Sequence, residues 1–119
     1  MVVIKKRDNV IPVDFENFKL EFKANDASIK SLTKIEKQLE EHEKQLNEQE
    51  YSESFLDDLK DTVNGYWIDL FDEAAFEKVY DYSDGATLDT FLYLIATIKG
   101  ILEEFGERNN QNALSKYLE

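Results

Sequence analysis

Apolar and polar positions first alternate along this chain and then recur at three- and four-residue steps, the rhythm changing near residue 25. Phe18-Lys19-Leu20-Glu21-Phe22-Lys23 alternates strictly, which places Phe18, Leu20 and Phe22 on one face of a β-strand. Two β-branched runs precede it, Val2-Val3-Ile4 and Val10-Ile11 with Val13, separated by a polar turn over Lys5 to Asn9. Pro12 brings no backbone N–H, so the second run is predicted as an edge strand or an irregular crossing. Residues 1–25 therefore read as a small antiparallel sheet closed by Asn25-Asp26.

Beyond that point the period is helical. A helix capped by Asp26 or Ser28 is predicted to run to about Gln49, with Ile29, Leu32, Ile35, Leu39 and Leu46 as its apolar positions. The seam from Leu32 to Leu46 keeps a near-heptad step, His42 stands where an apolar residue is expected, and Lys, Glu and Gln dominate the rest. So thin a stripe suits a helix touching one neighbour, or a seam between chains. A second helix is predicted from Ser52 or Ser54, with a broad face of Phe55, Leu56, Leu59, Val63, Tyr66, Trp67, Leu70 and Phe71. Gly65 either weakens it or admits a close neighbour. Ala74 to Tyr80 continue as a further turn or a separate short helix, and Asp81-Tyr82-Ser83-Asp84-Gly85 predicts a loop. The last main helix opens near Asp84 and is apolar nearly around its girth to Phe105, the mark of a central helix, with Gly106 as its stop. Residues 107–119 read as a polar linker with a short C-terminal helix or a disordered tail. The expected fold is a single domain of the α+β class, mostly α: strands over 1–25, then a bundle of three to four helices over 26–106.

Charge narrows the class of partner. The net charge is −12, and residues 50–104 hold fourteen of the 26 acids against three lysines, together with ten of the fifteen aromatics. Nucleic-acid binding needs clustered cations, and Lys5-Lys6-Arg7, followed at once by Asp8, is the one basic cluster. The expectation is a protein-binding surface and no nucleic acid. The chain has no cysteine, which removes disulfides, thiolate metal sites and thiol nucleophiles. The first residues do not have the form of a secretory signal, and no run approaches the roughly 18 apolar residues of a spanning helix. A cytoplasmic protein with no membrane contact is expected.

Catalytic and metal constellations are not apparent. His42, the one histidine, lies in a Lys/Glu-rich helix and reads as a partly exposed seam residue. No serine has a nucleophile-elbow setting and no glycine run resembles a phosphate cradle. The Asp81 to Gly85 segment has its Gly one position early for a calcium loop, and Leu92 falls where the bidentate Glu belongs. Asp57, Asp58 and Asp61 read as a solvated face. The expectation is no enzyme, no cofactor and no metal. What remains is the acid-studded aromatic run from Tyr66 to Tyr82, partly core and partly a source of the Trp and Tyr side chains that anchor interfaces.

That run also carries a resemblance. Trp67-Ile68-Asp69-Leu70-Phe71-Asp72-Glu73-Ala74-Ala75-Phe76-Glu77-Lys78-Val79-Tyr80, set after a strand segment and a long Lys/Glu-rich helix and before a Gly-containing loop and a compact apolar helix, resembles the small tail assembly chaperones of long-tailed phages and prophages of Gram-positive bacteria. Many members carry Phe-Gly where this chain has Phe71-Asp72. The resemblance implies a binding function: holding a helical tape-measure protein soluble until tail-tube subunits displace it, in the host cytoplasm. It points to Tyr66, Trp67, Phe71, Phe76 and Tyr80 as client contacts, with Leu32 and Leu39 on a second surface. On this reading Trp67→Ala abolishes client capture and leaves helicity largely intact. The rival expectation is an acidic inhibitor, antitoxin-like or a nucleic-acid mimic, facing a basic enzyme. The thin seam and the edge strands also suggest a homo-oligomer.

Overall fold

The computed structural model describes residues 1–46 and 50–110. Two antiparallel strands, β1 (Val10–Asp14) and β2 (Lys19–Lys23), precede four helices: α1 (Asp26–Leu46), α2 (Glu53–Leu70), α3 (Ala75–Tyr82) and α4 (Thr87–Arg108). The chain is thus mostly helical, with two strands in its N-terminal part.

The hairpin pairs Ile11 with Phe22 and Val13 with Leu20, so the alternating face turns into the core. Ala24 N–H donates to Asn9 O at 2.8 Å. Bonded pairs in an antiparallel ladder recur every second residue, so Pro12 occupies a non-bonded position and its missing N–H costs the ladder nothing. On the outer edge of β1 the carbonyl of Val10 accepts from Arg108 Nη1 at 2.8 Å.

Val2-Val3-Ile4 forms no strand. All three side chains are exposed, and the root of this arm is held elsewhere: Arg7 donates to the carbonyl of Arg108 and to Asn109 Oδ1, both at 3.1 Å. Asp8 Oδ1 accepts from Val10 N–H at 2.9 Å, turning the chain where it enters β1. A β-branched run without a strand beside it has no ladder to join.

α1 is capped one residue earlier than expected. Asn25 Oδ1 accepts from Ser28 N–H at 2.9 Å and Ser28 Oγ accepts from Asn25 N–H at 3.0 Å, a reciprocal capping box. Asp26 falls in the first turn, where a carboxylate suits the helix dipole. The expected end near Gln49 lies outside the described residues. α2 begins as expected, Ser52 Oγ accepting from Phe55 N–H at 3.2 Å. The expected loop shortens, because Asp81 and Tyr82 complete α3. Asp84 and Gly85 have positive φ, which glycine tolerates and aspartate adopts more readily than most residues.

Gly106 does not stop α4. The helix continues to Arg108, and Asn109 closes it with backbone N–H and Nδ2 both donating to Phe105 O. Arg108, anchored on Val10 O and on Glu104 at 2.9 Å, holds the last turn against the roughly 1 kcal/mol that glycine costs inside a helix. α4 packs against α1, α2, α3 and β1, which makes it the central element. Trp67, Phe22, Phe91, Leu94, Val63 and Leu32 form the heart of the core around it. The C-terminal helix or tail expected after the linker lies outside the described residues beyond Asn110.

Candidate protein-binding surface

The seven expected contact residues divide into two groups. Trp67 and Leu32 are fully buried, and Leu39 and Phe76 nearly so. Tyr66, Phe71 and Tyr80 are half-buried at the margins of the core. Trp67 stacks on Phe71 with ring centroids 5.7 Å apart, meets Phe15 edge-on, and donates its indole N–H to Thr90 O at 3.3 Å. In this conformation it positions its neighbours and presents nothing to a partner. The α1 seam is likewise used within the chain, Leu32, Ile35 and Leu39 turning inward as α1 packs on α2 and α4. His42 completes that seam: its Nε2 lies 3.3 Å from the Tyr66 hydroxyl, and partial burial pushes the tyrosine above its ordinary pKa.

The acidic–aromatic segment does open one face to solvent. A groove of about 470 Å³ lies between α2 and α3, with Ile68, Phe76 and Tyr80 as its apolar lining. Phe76 and Tyr80 stack at 5.4 Å, and Lys60 Nζ sits 4.3 Å from the Tyr80 ring centroid. Gly85 supports Tyr80 from behind; its φ of +76° needs glycine, and a Cβ there would lie 3.6 Å from the tyrosine hydroxyl. Glu73, Glu77 and Asp81 follow one another at four-residue steps along the groove and are all exposed. Glu77 and Asp81, one helical turn apart on α3, repel each other, and Glu73 adds a third carboxylate from the turn before α3. Among the described residues, Lys60 is the one cation lining the groove against all three. The four-residue acid spacing was a readable signal for this rim; the contribution of Lys60 and Ile68, from a different helix, was not.

A second groove, of about 370 Å³, separates the outer side of β1 from α4. Ile11, Val13 and Phe15 form one wall and Tyr93, Ala96, Gly100 and Ile101 the other, with Asp14 and Glu104 as its acids. Phe15 joins Phe18, Tyr82 and Tyr93 in a ring cluster at its end. The Tyr82 hydroxyl there is pushed up, first by burial and then by Glu16, Tyr93 and Asp14. Sequence reasoning missed this groove; the small residues Ala96 and Gly100, four apart on an otherwise bulky helix, were its only trace.

Twelve of the fourteen acids in residues 50–104 are exposed, and among the described residues only Glu104 of that set pairs with a cation, Arg108 at 2.9 Å. The described residues contain no group of three or more side chains arranged to hold a metal ion. No single described helix is long and apolar enough to cross a membrane. Protein-family models, curated proteins and solved structures give no match to this chain.

Proposed function

We propose that this protein works by binding, without catalysis, cofactor or nucleic acid, and that its ligand is a helical protein segment carrying an apolar stripe beside basic residues. The observation that carries this reading is the α2–α3 groove, where Ile68, Phe76 and Tyr80 are flanked by the row Glu73, Glu77 and Asp81. An apolar stripe inserts between the two helices, as in helix-in-groove recognition, and its flanking cations neutralise the row. Together with the resemblance of residues 67–80, this supports a tail-assembly-chaperone-like role in the cytoplasm. A tape-measure-like client is kept soluble until tail-tube protein replaces the chaperone. The exposed acids keep neighbouring loaded copies apart by repulsion.

Tyr80→Ala is the direct test, because Tyr80 is half-buried and its truncation leaves Trp67 and Phe91 in place. Tagged protein is recovered from source cells under phage or prophage induction, and the co-purifying proteins are identified by mass spectrometry. The expected result is a long helical tail protein whose capture weakens only modestly at high salt, because the apolar stripe carries most of the binding. Tyr80→Ala is expected to weaken it by about 2 kcal/mol, roughly thirtyfold, at unchanged helicity. Full capture by Tyr80→Ala would move the contact away from this groove. A second reading, the acidic inhibitor, is favoured by the exposure of the twelve acids. It requires a basic enzyme partner whose binding falls steeply as salt rises.

A further inference from the structure

Four of the six large apolar side chains most exposed in the described chain are consecutive: Met1, Val2, Val3 and Ile4. Val2, Val3 and Ile4 are between 69% and 88% exposed, outside the groove of their own chain. Lys5 and Lys6 follow them directly, while Arg7 fastens the root of the arm to the end of α4. A contiguous β-branched run held in water beside a basic pair is a surface in want of an apolar, acidic counterpart.

We propose that residues 2–6 of one copy occupy the β1–α4 groove of a second copy, each chain giving an arm and receiving one. The groove is apolar along both walls, and its charged lining residues are two acids: Asp14, and Glu104, which Arg108 already pairs at 2.9 Å, so Asp14 is the carboxylate left to meet Lys5 or Lys6. Dimensions agree. The α4 wall from Tyr93 to Glu104 rises about 16 Å at the helical repeat, and the extended arm from Val2 to Lys6 spans about 13 Å, short enough to lie within it. The arm leaves β1 at Val10, whose carbonyl is bound by Arg108, one helical turn beyond Glu104 at the groove's end. The exchange requires a two-fold axis beside that point, so that each arm reaches the partner's groove reciprocally. Pro12 faces the groove without an N–H, so the arm is held by side chains filling the cleft and not by a third strand on β1. The inference is independent of the client groove between α2 and α3.

Sedimentation velocity and native mass spectrometry of the full chain over a concentration series test it. The wild type is expected to dimerise. Ile4→Asp places a carboxylate in the apolar cleft and is expected to weaken the dimer by more than about a hundredfold. Gly100→Arg is expected to fill the groove from the other side; Gly100 is exposed and a Cβ there meets nothing within 4 Å, so the backbone has room for a side chain, and circular dichroism checks that the fold is retained. Mixing the two variants, each monomeric alone, is expected to restore a mixed dimer, because one intact arm meets one intact groove. A wild type that stays monomeric at its highest soluble concentration overturns the proposal. So does a dimer indifferent to both substitutions, or two monomeric variants that fail to combine.

Discussion

Trp67 is enclosed by Phe15 and Phe71 and hydrogen-bonded to the backbone of α4, so its removal takes away rings, a polar contact and volume together. Trp67→Ala is expected to cost about 3–5 kcal/mol. Small domains are stable by about 5–15 kcal/mol in all, so the loss is a large share of the total. Thermal unfolding followed by circular dichroism should show a markedly lower midpoint; an unchanged midpoint would return Trp67 to the surface. The expectation that this variant loses only client capture is therefore revised, and Tyr80, half-buried and open to the groove, replaces it as the informative position. Residue identity could not make this distinction, because a core and an interface anchor draw on the same large aromatic side chains.

Among the elements, those whose apolar positions repeat were legible in the sequence. The alternation of Phe18 to Phe22 and the helical steps through Val63, Trp67 and Leu70 both appear in the fold as the pattern predicts. Three misreadings share a cause, which is that particular partners, near or far in sequence, decided them. Val2 to Ile4 has strand composition but no strand beside it, Asn25 takes the cap through Ser28, and Arg108 carries α4 past Gly106. Gly65 resolves the other way: no heavy atom approaches its Cβ position, so it admits no neighbour and only weakens α2. Gly65→Ala should stabilise the protein by about 0.5–1 kcal/mol through helix propensity. The check is a rise in the denaturant midpoint at constant slope, and a fall would reveal a contact the helix face makes in solution.

At the scale of the whole molecule, composition pointed to an acidic protein-binder but gave no place for the binding. Grooves arise where elements separated in sequence lie side by side, as α2 and α3 do around Tyr80 or β1 and α4 around Gly100, and no window of sequence contains both walls. The α1 seam, which could face a neighbour within the chain or another chain, is covered within the chain, where α2 and α4 supply the apolar surface against it. Trp67 is the chain's one tryptophan and lies dry at the centre. The protein therefore carries a built-in fluorophore whose emission colour reports only the integrity of the interior. A client or a second copy seated in either groove leaves that colour blue, whereas a client that enters by prising the helices apart turns it red. One emission spectrum, taken before and after loading, separates a protein that receives its cargo on a finished surface from one that opens to admit it.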